Sequence, residues 1–475
     1  MNKDIIKKLV PIHKYELTKF LCTAALTFLI SYIHSILHIS KDVLVISQLG
    51  TESISAIKMW AVLPTSLIFM FLYIKLADKL TRAQLFYTAN WFFIAYFVLF
   101  ALVLYPYREA LTININSDVL TQLPALKYLF KIISNWHYSL FYAFSEGWVV
   151  IMLSISFWQT ANHITSIEES KRFYPLFGTA ANVGKMMASI LLANCVTRSA
   201  NWQPTLNTIT SSIVLAGIGI TVCLFTLEKI IGEDAFNLKK GHFKSKNKIS
   251  FKESLKYITS SKVILLITSI LLCYNISLNL VEGVWKKSYE VFFVSNANQI
   301  QAFISKLEFS ISIASIIGTL VGVYVLQSFK WRIGALITPI IMLLTGGAFF
   351  LLIFFGDVTS MLTLQTSAML VAVILGAIYN MLSRALKHSV FDPNKEMVYI
   401  PLDDDLKTKG KAAAEVIGMR FGKGSGAVIQ QGLFALFPTL TLLDLSPIIF
   451  IIFLGISLWW FYSIFSLSHI TTKLK

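Results

Sequence analysis

Residues 231–262 read IGEDAFNLKKGHFKSKNKISFKESLKYITSSK, a polar and basic segment near the middle of a largely apolar chain of 475 residues. On either side of it, hydrophobic residues come in blocks of about 20, the length that an α-helix needs to cross a bilayer. Six such blocks precede the segment and six follow it. The chain is therefore predicted to be an all-α, polytopic membrane protein made of two six-helix halves.

The hydrophobic blocks define twelve predicted spans, although eleven or thirteen also fit because several blocks contain glycine or a charged residue. They lie near residues 18–38, 53–75, 86–105, 137–160, 172–196, 206–228, 263–284, 301–327, 332–356, 360–383, 410–440 and 446–467. Six plus six spans around a basic loop is the layout of major-facilitator-like transporters, whose pseudo-symmetric halves rock about a central site. We expect an N-terminal half at 1–229, a basic linker at 230–262 and a C-terminal half at 263–475.

Charge supports the membrane assignment and predicts the orientation. Charged residues make up 14% of the chain, against about 25% in soluble proteins. The net charge of +16 could indicate nucleic-acid binding, but cytoplasmic loops of membrane proteins also concentrate basic residues. Segments on the N-terminal side of the predicted membrane hold 29 Lys and Arg residues, and the opposite loops hold 7. This asymmetry predicts that both termini are cytoplasmic.

Motifs of soluble enzymes and metal sites do not fit this sequence. The four cysteines fall in apolar spans without a CxxC pair, so neither a disulfide framework nor a zinc site is predicted. The stretch GMRFGKGSGA, residues 418–427, lacks the spacing of a phosphate-binding loop. Small residues of this kind let helices approach closely, which is the role we assign to the glycines at 418, 422, 424 and 426. We expect no catalytic group, metal or cofactor.

Charged residues inside the spans are the candidates for substrate contacts, because such charges are costly and usually face a cavity or a partner. Glu146 lies about ten residues into the fourth span, and Lys185 lies deep in the fifth. Lys41 follows the first span directly, and Glu282 lies at the outer end of the seventh. The first, fourth, seventh and tenth helices line the cavity of major-facilitator carriers, and Lys41, Glu146 and Glu282 fall on the first, fourth and seventh. A cavity with surplus basic residues suits an anionic substrate, since desolvated anions need paired cations.

Each of these charges also has a structural interpretation. Lys41 would be an interfacial anchor, Glu146 would pair with a neighbouring lysine, and Glu282 would lie at the interface. Lysines near span ends can extend their ammonium groups to the membrane surface, which is how we interpret Lys58 and Lys306.

Several longer stretches match a known family signature. They are KDVLVISQLGTESISAIKMWAVLP (41–64), KLADKLTRAQLFYT (75–88), EGWVVIMLSISFWQTANHITSIEESKRFYPLFGTAAN (146–182), NLVEGVWK (279–286) and FDPNKEMVYIPLDDDLKTKGKAAAEVIGMRFGKGSGAVIQQ (391–431). Together they resemble the ATP/ADP translocases, the nucleotide transporters of obligate intracellular bacteria, plastids and some intracellular parasites. The resemblance covers nearly the whole chain, and its last two blocks are highly specific.

The resemblance implies roles for particular residues. Lys41, Glu146 and Glu282 match positions that are essential for transport in the family, and so does either Lys395 or Lys411 in the 391–431 block. That block is implied to handle nucleotide phosphates or to gate the cytoplasmic mouth. Residues expected in supporting roles are Asp42, Asn162, Asn182, Arg420 and Lys423. The chain departs from many members at His163, where they carry glutamate.

The implied function is an antiporter that exchanges external ATP for internal ADP by alternating access, in the inner membrane of an intracellular bacterium. Its implied partners are nucleotides and the lipid bilayer, without nucleic acid, and a monomer suffices. Proton-coupled nucleotide import, with Glu146 or Glu282 carrying the proton, keeps the same fold, as does exchange of other nucleotides or NAD. A polytopic membrane enzyme acting on a nucleotide-activated or lipid-phosphate substrate would need an acid/base or metal cluster, and the sequence shows none.

Overall fold

The computed structural model describes residues 12–115, 122–195, 202–233, 236, 258–359, 368–403, 406, 410–415, 417–418 and 422–473. Within these ranges the regular elements are helices. The twelve principal ones are α1 (Leu17–Leu49), α2 (Glu52–Ala77), α3 (Arg82–Leu104), α4 (Trp136–Ile164), α5 (Ile167–Asn194), α6 (Gln203–Ile231), α7 (Lys262–Phe292), α8 (Ala297–Ser328), α9 (Trp331–Thr359), α10 (Ala368–Tyr399), α11 (Gly422–Leu436) and α12 (Ser446–Lys473). A short helix, Lys127–Ser134, lies between α3 and α4.

Eleven of these helices, all but α11, are long and apolar enough to cross a membrane, counting the described residues alone. The predicted span at 410–440 contains two shorter pieces, Lys411–Glu415 and α11, and residues 416 and 419–421 between them lie outside the described residues. The predicted all-α, polytopic membrane fold is confirmed.

Two helices are longer at their C-terminal ends than hydropathy predicts. The first span was expected near 18–38, whereas α1 continues to Leu49. The seventh was expected near 263–284, whereas α7 continues to Phe292. Both extensions carry charged residues, which hydropathy excludes from a span. The helices tolerate these charges because the charges pair with one another, as described below.

Helices α7 and α11 approach each other closely through glycine. A Cβ atom on Gly422 would lie 2.7 Å from the Cβ of Asn275. One on Gly426 would lie 2.5 Å from the Cβ of Asn279. Both distances are shorter than side chains allow, so these glycines permit the contact, as predicted for small residues in membrane helices. A Cβ atom on Gly424 would have no atom of a described residue on another element within 4 Å, so the packing role assigned to Gly424 was wrong.

The helices pack mainly within two sets, which we call the N-terminal set (α1–α6) and the C-terminal set (α7–α12). Helix α1 packs against α4, α5 and α6, and α7 packs against α10, α11 and α12. The two sets meet where α8 contacts α1 and α5, and where α11 contacts α2. We call the helix ends on the side of Leu17 the inner ends and the opposite ends the outer ends. The predicted linker falls largely on 234–235 and 237–257, outside the described residues, so the division into two domains stays a prediction.

Candidate functional site

Ion pairs connect α4, α1 and α7 across the boundary between the two sets. The Nζ atom of Lys41 lies 3.1 Å from Oε1 of Glu146 and 3.0 Å from Oδ1 of Asp42. The other carboxylate oxygen of Asp42, Oδ2, accepts a hydrogen bond of 2.7 Å from Nζ of Lys286. Asp42 therefore bridges a lysine of the N-terminal set and a lysine of the C-terminal set.

The pairing continues through the C-terminal set to α10 and α8. The Nζ atom of Lys286 lies 3.1 Å from Oε1 of Glu282, one helical turn before it. Arg384 donates to the same Glu282 oxygen at 3.3 Å and to Oε1 of Glu308 at 2.5 Å. We call the resulting series the central ion chain; its members are Glu146, Lys41, Asp42, Lys286, Glu282, Arg384 and Glu308.

The middle of the central ion chain is buried. Lys41 is 3% exposed and Lys286 is 5% exposed. The ring of Tyr142 on α4 covers Lys41, with its centroid 3.9 Å from the Nζ atom, a cation–π contact. A buried charge is tolerated when it is paired and hydrogen-bonded. Each member therefore depends on its neighbours, and removing one takes a partner from the buried charges next to it.

Two further lysines flank the central ion chain. The Nζ atom of Lys58 on α2 lies 3.4 Å from the amide oxygen of Asn279 on α7. Lys185 on α5 lies close enough to Glu308 and Arg384 to interact with their charges. Among the described residues, neither lysine has a carboxylate oxygen within 4.0 Å. With these two lysines the site holds five cations and four carboxylates, so it carries a surplus of positive charge.

A second group of polar contacts joins the two sets at their outer ends. The Nζ atom of Lys287 lies 3.1 Å from Oε1 of Glu52 and 3.0 Å from Oε1 of Glu290. The backbone N–H of Thr51, in the turn between α1 and α2, donates to Oε2 of Glu290 at 2.8 Å. Gly50 begins that turn with φ of 79°, in the left-handed region that glycine adopts readily. We call Thr51, Glu52, Lys287 and Glu290 the outer clasp.

A pair of amide contacts also holds α8 to α5 and α6 at the outer side. The indole N–H of Trp202, just before α6, donates to Oε1 of Gln301 on α8 at 3.0 Å. The Nε2 atom of Gln301 donates to the backbone oxygen of Leu192 on α5 at 3.0 Å. Together with the outer clasp, these contacts close the outer side of the boundary between the sets.

Ion pairs at the inner ends follow a different pattern, because those formed by the described residues stay within one set. In the N-terminal set Arg172 on α5 donates two hydrogen bonds of 2.8 Å to Glu16, which precedes α1. These bonds lower the pKa of Glu16 to about 2. In the C-terminal set the pairs include Lys395 with Glu415 and Lys411 with Glu396.

The structure brings four of the predicted site residues together and leaves others apart. Lys41, Asp42, Glu146 and Glu282 all belong to the central ion chain, and Lys185 flanks it. The remaining candidates lie elsewhere. Lys395 lies at the inner end of α10, and Lys411 begins the short helix Lys411–Glu415 and pairs with Glu396 of α10. Asn162 lies at the end of α4, where it accepts a hydrogen bond of 2.5 Å from Tyr174, and Asn182 is half-buried on α5. Arg420 and the side chain of Lys423 lie outside the described residues.

Four charged residues of the site were not predicted to belong to it: Lys58, Lys286, Glu308 and Arg384. Hydropathy assigned Lys286 to a loop because the predicted seventh span ends at 284, and it ended the predicted tenth span at 383, just before Arg384. The separation of four residues between Glu282 and Lys286 was a usable signal, because residues at i and i+4 face each other on a helix. No comparable signal connects Arg384 to Glu308, which are 76 residues apart.

Related proteins are consistent with this architecture. The sequence profile of the TLC ATP/ADP transporter family matches residues 2–470. ADP,ATP carrier protein 1 of Rickettsia prowazekii (strain Madrid E) is 39% identical over an alignment of 477 positions, which covers 97% of this chain and 95% of that carrier. ADP,ATP carrier protein 1 of Chlamydia muridarum (strain MoPn / Nigg) is 38% identical over an alignment of 440 positions, which covers 89% of this chain and 83% of that carrier.

Solved structures of other transporters share the fold at low sequence identity. The nucleoside transporter NupG aligns with a TM-score of 0.58 and 14% identity, covering 94% of this chain and 98% of that one. An inward-facing bacterial homologue of the iron transporter ferroportin aligns with a TM-score of 0.58 and 13% identity, covering 96% and 100%. At such identity the likeness concerns the major-facilitator-like fold alone. The family match and the identity to the carriers over nearly the full chain show that the protein belongs to the TLC ATP/ADP transporter family.

Proposed function

We propose that the protein exchanges ATP for ADP across a membrane by alternating access, and that the nucleotide phosphates bind at the central ion chain. The observation that carries this proposal is the buried series of ion pairs that connects the two helix sets through Asp42 and Lys286. The surplus of cations around that series suits a polyphosphate. The names of the relatives, ADP,ATP carrier proteins, agree with this choice of substrate.

The central ion chain gives a physical reason for exchange. Separating the two sets at their outer ends pulls Asp42 away from Lys286, so each keeps only the partner in its own set, Lys41 and Glu282 respectively. Because each charge still has one partner, the cost lies below the value for a buried charge left with none, about 3–5 kcal/mol. A bound nucleotide supplies anionic oxygens that pair with the released cations, so the loaded carrier can rearrange. The empty carrier lacks that compensation, which favours exchange of one nucleotide for another over one-way transport.

We further propose that the inner ends face the cytoplasm and that the protein resides in the inner membrane of a bacterium. The excess of Lys and Arg on the side of the N-terminus supports this orientation. The described contacts then correspond to a carrier closed toward the outside. The two halves at 1–229 and 263–475 would move as bodies about the linker at 230–262, in a monomeric transporter that performs no enzymatic reaction.

Uptake into reconstituted vesicles tests this function. Vesicles preloaded with ADP should take up labelled ATP, and empty vesicles should take up little. Uptake into empty vesicles that a protonophore abolishes would instead establish proton-coupled import. Glu146 would then be the first acid to examine, because its side chain is 37% exposed, whereas that of Asp42 is 7% exposed. Absence of nucleotide uptake from both preparations would reject nucleotide transport.

A further inference from the structure

A polar pocket lies beside the central ion chain, at the place where α2 of the N-terminal set meets α7 and α11 of the C-terminal set. Its walls include Ser55 and Lys58 from α2, Asn279 and Lys286 from α7, and Gln430 from α11. The pocket is therefore formed by both sets, and one predicted site residue, Glu282, also lines it.

Most polar groups of the pocket wall are already engaged. The Nδ2 atom of Asn279 donates to the backbone oxygen of Asn275 at 2.8 Å, and Nε2 of Gln430 donates to the backbone oxygen of Asn279 at 3.3 Å. The hydroxyl of Ser55 accepts a hydrogen bond of 2.7 Å from Gln431. These groups hold α2, α7 and α11 together, so they are poorly placed to bind a ligand through the same atoms.

Lys58 is the exception. Its ammonium group has three N–H donors, and the contact formed with the described residues is the one with the amide oxygen of Asn279 at 3.4 Å. The residue is only partly buried and lines the pocket. It begins a π-helical turn, Lys58–Val62, that interrupts α2, a feature often found at functional sites. A cation with spare donors, facing a polar pocket at a boundary between moving halves, fits an anionic ligand.

We propose that Lys58 binds a phosphate group of the substrate and that this contact lets the carrier distinguish nucleotides by their number of phosphates. The inference rests on the proposed function, because it takes the nucleotide to be the substrate. Lys286 of the central ion chain lines the same pocket. A polyphosphate has enough anionic oxygens to pair with Lys286 and Lys58 together, so its affinity should depend more on Lys58 than that of a single phosphate group.

Competition measurements on the purified, reconstituted carrier test this role. The affinities of wild type and Lys58→Gln are compared for ATP, ADP, AMP and inorganic phosphate as competitors of labelled ATP uptake. Removing one charge-assisted contact should weaken ATP about ten- to hundredfold, with a smaller effect on ADP and least on AMP. Lys58→Arg, which keeps the charge and the apolar stem, should recover part of the ATP affinity.

A second variant tests the pocket without removing the lysine. Asn279→Asp places a carboxylate where the amide oxygen now lies 3.4 Å from Lys58. The new internal ion pair should occupy the ammonium group and reproduce the selective loss of ATP affinity. Because the new carboxylate also repels a polyphosphate directly, Asn279→Asp is added to Lys58→Gln as well. No further loss of ATP affinity in that double variant would assign the effect to Lys58, whereas a full additional loss would show repulsion alone and overturn the role of Lys58. Lys306→Gln is the matched control, because Lys306 is an exposed lysine on α8, and it should leave all four affinities unchanged.

The outcomes separate this inference from the proposed function. If wild type exchanges ATP for ADP but Lys58→Gln weakens all nucleotides equally, or none, the discrimination by phosphate number is wrong while nucleotide exchange stands. A loss of competition by inorganic phosphate alone, with nucleotide affinities unchanged, would make Lys58 part of a free-phosphate site and would also overturn the proposal. If wild type neither binds nor transports nucleotides, the proposed function fails first.

Discussion

Ion pairs that join the two helix sets differ in burial and in position from a pair such as Lys411–Glu396, which stays within one set. Lys286 and Asp42 pair across the boundary with side chains 6% and 7% exposed. Lys411 and Glu396 pair within the C-terminal set at the inner end, with side chains 39% and 44% exposed. An inner-end pair within one set can persist while the sets move, whereas the central ion chain, which crosses the boundary through Asp42 and Lys286, has to break and re-form. Substitutions in the central ion chain should therefore affect transport, and those in the inner-end pairs should affect stability.

The largest effect is expected at Lys41, which contacts Asp42, Glu146 and the ring of Tyr142. Lys41→Gln should nearly abolish nucleotide uptake with normal membrane insertion, because losing a buried charge contact costs about 2–5 kcal/mol. Lys41→Arg should recover only part of the uptake, since the planar guanidinium group does not reproduce the geometry of the compact ammonium group. Labelled ATP uptake in cells, normalised to carrier in the membrane, measures both.

The role of Lys41 as a phosphate ligand would be wrong if Lys41→Gln transports at the rate and affinity of wild type. Lys185 would then be the leading candidate in the N-terminal set, because it lies near Glu308 and Arg384 on the other flank of the site.

A large effect is also expected from breaking the bridge between the sets. Asp42→Asn should lower the uptake rate about a hundredfold or more, because Lys41 and Lys286 both lose their shared carboxylate. The double variant Asp42→Asn/Lys286→Gln removes both partners of the crossing pair. It should be less impaired than the sum of the single variants predicts, with a coupling energy of about 0.5–3 kcal/mol. Additive effects would show that the crossing pair is not coupled during transport.

An intermediate effect is expected at the outer clasp, which closes the boundary without belonging to the central ion chain. Lys287→Gln removes the contacts with Glu52 and Glu290, and transport should persist. The side chains of Lys287, Glu52 and Glu290 are 13%, 6% and 9% exposed, so their pairing should contribute more than the up to about 1 kcal/mol of a surface pair. The outer side should therefore open at least about fivefold more often. A membrane-impermeant maleimide applied outside, with Ser55→Cys in a cysteine-free background, should label the pocket faster by that factor.

Lys127→Gln is the control for the outer clasp, because Lys127 lies in the short helix between α3 and α4 and makes its cation–π contact with Tyr128. Equal labelling rates in Lys287→Gln and this control would mean that the clasp does not restrain opening.

The same contrast explains what the sequence could and could not predict. Hydropathy identified the class of fold and eleven of the twelve predicted spans, because burial in lipid constrains every residue of a span. Lys41 and Glu146 stood out as charges at or within spans. Lys286 and Arg384 were not recognised as charges within a span, because hydropathy ends a predicted span at a charged residue unless the partner of that charge is known. Those partners lie on other helices, and pairing between distant segments leaves no local pattern.

The smallest effect is expected at Glu16, whose pair with Arg172 stays within the N-terminal set. Glu16→Gln should leave the KM for ATP unchanged, because both residues move together at the inner end. The two hydrogen bonds from Arg172 lower the pKa of Glu16 to about 2, from an ordinary value of 4.5. The stabilisation is therefore fully present above about pH 4.5 and is lost as the pH falls through about 2. Wild type should have a Tm about 1–3 °C above that of Glu16→Gln at pH 6, and the difference should shrink as the pH is lowered to 3.

Glu168→Gln is the control, because Glu168 is an exposed acid in the first turn of α5, and its Tm should show no such dependence on pH. If Glu16→Gln instead slowed transport as strongly as Lys41→Gln, the inner-end pairs would take part in the transport cycle, and the distinction between them and the central ion chain would not hold.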